Sequence, residues 1–211
     1  MTHADHADHA DHADHADHAD HADHADHADH ADHADHADHA TARPAAVVIG
    51  PPGSGKTVTG RALGLLLGVP FHDTDEEVVR REGRSIADIF IDDGEAAFRA
   101  LERAEVARAL AQERGVVALG GGAPMDADTQ ARLARHTVVF LDVGIADASR
   151  RIGFDRSRPL LSVNPRASWI AMMNVRRPVY QSLATHRADT AGRTPEQVAA
   201  EVAELIAGAT A

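Results

Sequence analysis

Lys56 is the only lysine in this 211-residue chain, and arginine supplies the rest of its positive side-chain charge. It stands in Gly50-Pro51-Pro52-Gly53-Ser54-Gly55-Lys56-Thr57, directly after the apolar run Ala45-Ala46-Val47-Val48-Ile49. Glycines at this spacing let the backbone turn tightly and aim successive N–H groups inward. A helix starting near Thr57 adds the positive end of its dipole. Gly53, Ser54 and Gly55 then form a cradle for the β- and γ-phosphates of a nucleoside triphosphate. Lys56 acts as a mobile point charge on the same oxygens, and Thr57 offers a hydroxyl to the Mg²⁺ that bridges them. The bland alternative, a glycine-rich turn that binds nothing, requires the whole motif to fall by chance between a strand and an amphipathic run.

A phosphate cradle does not name an acceptor, so the other polar constellations matter. Asp73 and Asp75 leave a short apolar segment together. One carboxylate can hold the water shell of Mg²⁺, and the other can hydrogen-bond an acceptor hydroxyl or take its proton. Capping of the helix expected from about 76 is the competing role, and Asp75 suits it. Arg99, Arg158 and Arg176 each stand beside a motif rather than in a run, which suits planar forks aimed at a small anion or at phosphoryl oxygens. Taken singly, each could equally be a surface arginine. Gly120-Gly121-Gly122 lets backbone approach a small ligand closely, or serves only as a tight strand exit.

These residues need a scaffold that gathers them, and the hydrophobic pattern after Pro44 provides one. Strands and helices alternate, which implies parallel strands joined by right-handed crossovers. Strands are expected up to Ile49, at 70–72, 115–119, 137–141 and weakly at 187–189. Helices are expected at about 58–67, 76–82, 85–91, 94–113, before the fourth strand, at 146–152, 169–183 with an interruption at Pro178, and 195–206. The stretch 153–168, rich in Arg, Pro, Ser and Asn, reads as a mobile loop. In such sheets ligands bind beyond the carboxyl ends of the strands, where each motif above falls.

Composition divides the chain in two. From His3 to Ala40 it repeats His-Ala-Asp, holding 13 of the 16 histidines and 12 aspartates. Residues 1–43 cannot bury enough apolar surface to offset their ordering entropy and are expected to be disordered. Those aspartates account for the whole net charge of −12, leaving the chain outside the repeat formally neutral. The charge therefore argues for no nucleic-acid or membrane partner. The absence of cysteine excludes a disulfide framework and a thiolate metal site. No apolar run reaches membrane-spanning length and no basic-then-apolar leader opens the chain, so a cytoplasmic enzyme, working as a monomer, is expected. The tail is read as an expanded repeat without function, with weak Zn²⁺ or Ni²⁺ binding by its imidazoles as the alternative.

From about 45 to 206 the chain resembles the shikimate kinase family, of the nucleoside-monophosphate-kinase-like phosphate-loop group. The resemblance rests on 50–57, His72-Asp73-Thr74-Asp75, Gly83-Arg84-Ser85-Ile86-Ala87-Asp88-Ile89-Phe90, Gly94-Glu95-Ala96-Ala97-Phe98-Arg99, Leu119-Gly120-Gly121-Gly122-Ala123, Arg158-Pro159-Leu160-Leu161 and Arg176-Arg177-Pro178-Val179-Tyr180. It implies an α/β fold with a five-stranded parallel sheet in the order 2-3-1-4-5 and a mobile lid. It also implies transfer of the ATP γ-phosphoryl to the 3-hydroxyl of shikimate, in the pathway to aromatic amino acids. Asp75 would bind the ring hydroxyls beside the acceptor oxygen, Arg99 and Arg176 would clamp the carboxylate, and Gly121 with Gly120 and Gly122 would contact the substrate through backbone. Phe90 and Phe98 would form an apolar wall, and Glu102 would orient Arg99. Arg158 would reach the phosphates from the lid, Asp73 would hold Mg²⁺ through water, and Arg151 with Arg193 would flank the adenine. A gluconate-type kinase of the same fold, or a nucleotide-binding scaffold with a metal-binding tail, are the rival readings.

Overall fold

The structure, a computed structural model, describes residues 43–153 and 164–208. The repeat tail and the expected lid arginine Arg158 lie outside the described residues.

Five parallel strands form one sheet: β1 (Ala46–Ile49), β2 (Phe71–Asp73), β3 (Val116–Ala118), β4 (Val138–Asp142) and β5 (His186–Asp189). Their spatial order is β2-β3-β1-β4-β5, as the family resemblance implied. The three inner strands read AVVI, VVA and VVFLD and are buried at every position. Continuous apolar runs of this kind arise where helices cover both faces of a parallel sheet. Alternation along β1 divides the core accordingly. Val47 and Ile49 face Val117, Phe140, Trp169, Met173 and Tyr180 on one side. Ala46 and Val48 join Leu63, Val198, Ala199 and Val202 on the other.

That second face is covered by α1 (Lys56–Leu67) and α8 (Pro195–Gly208). The first is covered by α4 (Gly94–Gln112), α5 (Ala127–Leu133) and α7 (Pro165–Leu183). The helices α2 (Thr74–Glu82) and α3 (Ile86–Asp92) pack with the start of α4 around a smaller cluster, Val78, Ile89 and Phe98. A capping box starts α3: Ser85 Oγ accepts from Asp88 N at 3.1 Å while Ser85 N donates to Asp88 Oδ2. Between β4 and α7 lies α6 (Ile145–Ile152).

Three differences from the sequence-based expectation have a local physical cause. First, α2 follows β2 without a loop, because Asp73 rather than Asp75 is the cap: its Oδ1 accepts from Asp75 N at 3.0 Å and Glu76 N at 3.4 Å. Second, α7 starts at Pro165, inside the stretch read as a loop. Asn164 Oδ1 accepts from Ala167 N at 3.0 Å, and proline in the first turn gives up an N–H that has no helical partner there. Third, α7 continues through Pro178. The carbonyl deprived of a donor belongs to exposed Asn174, while buried Trp169, Met173 and Tyr180 hold the opposite stripe of the helix to the sheet. Among the described residues, no helix is long and apolar enough to cross a membrane.

Candidate active site

The site gathers at the carboxyl ends of β1, β2 and β3. Beyond β1 the chain turns through Gly53 (φ 80°) and Gly55 (φ 87°), left-handed conformations that a β-carbon would strain, and enters α1 at Lys56. Lys56 Nζ lies over the loop and donates to Gly50 O at 3.0 Å and Pro51 O at 3.3 Å. Burial pulls its pKa below the ordinary lysine value, nearby Asp75 and Asp73 work in the opposite direction, and Arg176 adds to the lowering. The loop is pinned from outside. Trp169 Nε1 on α7 donates to Pro52 O at 3.2 Å, and Arg151 Nη1 on α6 donates to Gly53 O at 3.2 Å.

Beside the loop, Thr57 Oγ1 donates to Asp73 Oδ2 at 2.7 Å. A hydroxyl and a carboxylate in contact at the mouth of a phosphate cradle are the hard oxygen donors that Mg²⁺ takes. Among the described residues, no group of three or more His, Cys, Asp or Glu could hold a metal. A cation here would draw its remaining ligands from phosphate oxygens and water. The strand that carries Asp73 is itself held in place: His72 Nε2 lies 2.7 Å from Glu105 Oε1 on α4, and Arg108 contacts both.

Asp75 faces inward from the first turn of α2. Its Oδ1 is buried and without a hydrogen-bond partner among the described residues. Burial, then the charges of Asp73 and Glu102, push its pKa up from 3.8 to about 6, against the opposing pull of Lys56 and Arg99. The glycine triplet after β3 makes room for it. A β-carbon at position 120 would fall 2.4 Å from Asp75 Oδ1 and 2.8 Å from Glu102 Oε1, and one at position 122 would fall 2.4 Å from Arg99 Nη1. Gly120 N donates to Thr74 Oγ1 at 3.1 Å, locking the turn to the start of α2.

The two arginines are held differently. Arg99 Nη1 donates to Glu102 Oε2 at 2.7 Å, Nη2 reaches Glu95 Oε1 at 3.2 Å, and the guanidinium carbon stands 5.3 Å from the centroid of Phe98. Phe98 in turn packs on Phe90 with ring centroids 4.8 Å apart. Arg176 Nη1 donates instead to a neutral acceptor, Gly121 O, at 3.0 Å. Tyr180 Oη donates to the same carbonyl at 2.6 Å from a fully buried position one turn along α7.

The expected site residues therefore divide into groups. Lys56, Thr57, Asp73, Asp75, Arg99, Arg176, Phe90, Phe98 and the glycine triplet converge on one cleft. Arg151 and Arg193 lie on the far side of the loop, lining a depression of about 90 Å³ with Gly55, Val58 and Pro195. There Arg151 also donates to Thr190 O at 2.6 Å, and Arg193 donates to Asp189 O and Gln197 O at 3.0 Å each and pairs with Glu201. Sequence reasoning assigned no role to Thr74, Trp169 or Tyr180. The signal for two of them was present: each is the only residue of its type in an aromatic-poor chain, and both carry a polar handle on a ring suited to burial.

Known proteins match this chain over most of its length. The family profile described as shikimate kinase matches residues 52–207. The shikimate kinase of Thermobifida fusca is 56% identical over 167 residues, covering 79% of this chain and 95% of that protein. The shikimate kinase of Salinispora arenicola is 56% identical over 164 residues, covering 78% and 98%. Among solved structures, shikimate kinase from Acinetobacter baumannii in complex with shikimate superimposes with a TM-score of 0.74 at 31% identity, covering 80% of this chain and 95% of that one. With the profile spanning most of the chain and the relatives matched over nearly their whole length, this protein belongs to the shikimate kinase family.

Proposed function

We propose that the cleft transfers the γ-phosphoryl group of ATP to the 3-hydroxyl of shikimate, giving shikimate 3-phosphate and ADP, with its two halves dividing the work. The observation that carries the division of roles is Asp75: a buried carboxylate with a free oxygen, within electrostatic reach of Lys56 on one side and Arg99 on the other. A group so placed can bind the acceptor hydroxyl and take its proton as the new O–P bond forms and the bond to the β-phosphate oxygen breaks. Its pKa near 6 leaves it ionised at neutral pH, as a proton acceptor must be.

The loop N–H groups, held in advance, and Lys56, swung from Gly50 O and Pro51 O, meet the charge that gathers on the phosphoryl and departing ADP oxygens. Thr57 directly, and Asp73 through water, would hold Mg²⁺, which would supply positive charge against the same oxygens. Arg99 and Arg176 grip the substrate carboxylate from two helices, and Gly120 to Gly122 let the ring lie against backbone. The wall of Phe90 and Phe98 covers the apolar edge of the ring. Arg151 and Arg193 flank the base of the nucleotide, and Arg158 closes over its phosphates.

The direct test is ADP release by the purified protein with Mg-ATP and shikimate, with gluconate in its place, and with neither. Release that requires shikimate supports the reading, and equal rates with and without shikimate remove it.

A further inference from the structure

One cavity among the described residues lies away from the cleft. It opens between the second half of α4 and α5, near the amino ends of the strands, and measures about 490 Å³, within the range of small-molecule sites, roughly 300–1,000 Å³. Its floor is apolar, formed by Ala107, Leu110 and Ala111 of α4. Its rim carries Arg132, Arg135, His136 and one opposing charge, Asp128. Neither arginine side chain has a hydrogen bond or ion pair among the described residues, whereas most described arginine side chains are paired. His136 Nδ1 is buried beside them with no hydrogen-bond partner among those residues.

Two uncommitted guanidinium forks and an unsatisfied imidazole nitrogen over an apolar floor fit one ligand chemistry. We propose that this cleft between α4 and α5 is a second binding site, for a small organic carboxylate with an apolar body. Arg132 and Arg135 take the carboxylate, His136 Nδ1 bonds a ligand oxygen, and Leu110 with the two alanines covers the body. Asp128 at the rim disfavours a second negative charge, which selects a monoanion over a phosphate ester.

Benzoate is the probe. Calorimetric titration of the full chain is run with shikimate and ADP saturating, so that the Arg99 and Arg176 clamp is occupied. Saturable benzoate binding is expected, with acetate, which has the charge without the body, about tenfold or more weaker. The double variant Arg132→Ala/Arg135→Ala should weaken benzoate at least about tenfold. Ala111→Leu, a helix-compatible change that fills the floor, should abolish binding while shikimate turnover stays unchanged. No saturable benzoate binding, equal affinity for acetate, or benzoate binding unaltered in either variant would overturn the proposal.

Discussion

The proposed nucleotide side and the proposed acceptor side of the cleft are built in opposite ways. The first is one continuous segment, 50–57, whose chemistry is mostly backbone, with a single cation laid over its own carbonyls. The second is assembled from α2, α4, α7 and the turn after β3, and its chemistry is side-chain charge in close opposition. Burial acts on both with opposite results, lowering the Lys56 pKa and raising that of Asp75. A contiguous cradle tolerates changes elsewhere in the fold, whereas the acceptor pocket depends on several packed elements holding register with one another.

The strongest way to break this contrast is Asp75→Asn, which keeps the shape and removes the proton acceptor. It should lower kcat by about 10²- to 10⁴-fold with little change in nucleotide binding. In the parent protein, shikimate-dependent kcat/KM should fall as pH drops below about 6, where Asp75 takes up its proton. Stability should respond in the reverse sense. Because the folded-state pKa is raised from 3.8 to about 6, the folded protein holds a proton that the unfolded chain has lost in that window, so Asp75 costs stability as pH rises through it. At pH 7, Asp75→Asn should therefore melt higher, by about 2–4 °C, while being nearly inactive. A variant both inactive and less stable would undo the assignment of Asp75 as a strained functional group.

Next in size, Lys56→Met should reduce kcat by about 10²- to 10³-fold, the usual cost of losing one donor aimed at developing charge, and leave shikimate binding measured by calorimetry intact. Loss of shikimate binding in this variant would show that the two halves are not separable.

The two guanidiniums sharpen the comparison within the acceptor side. Arg176→Ala and Arg99→Ala should each raise the shikimate KM, and removal of a charge-paired partner costs on the order of 2–5 kcal/mol. Arg99→Ala also leaves the buried Glu102 carboxylate without its partner, so it alone should lower the melting temperature measurably. Arg176 abandons only a neutral carbonyl that Tyr180 still satisfies. Smallest of all, Tyr180→Phe removes one hydrogen bond worth about 1 kcal/mol. It should raise the shikimate KM by about fivefold, with ATP KM unchanged. An equal effect on both substrates would place the role of Tyr180 in the loop rather than at Gly121.

How much of this was legible depended on how local each signal is. The phosphate cradle was complete in the sequence because its function needs only adjacent residues in left-handed or helical backbone. The buried strands were equally plain, since a sheet covered on both faces requires uninterrupted apolar runs. Asp73 and Asp75 were visible as a pair, and the resemblance implied separate roles for them, but which of the two caps α2 was not visible. The capping bond from Asp73 and the burial of Asp75 depend on where α2 begins and on what β3 and α4 bring beside it. The interruption expected at Pro178 failed because a proline penalty was weighed without the opposite face of the helix, where Trp169, Met173 and Tyr180 hold α7 in one piece.

Sequence alone thus determined the motifs proposed to carry the chemistry and the order of elements that holds them, because spacing and hydrophobic period are properties of short stretches. Tertiary structure decided which groups are buried, which are paired and which are left free. Desolvation and charge proximity are sums over residues distant in the chain: Gly120 against Asp75, Arg176 and Tyr180 on one carbonyl, and two unpaired arginines over a floor supplied by α4.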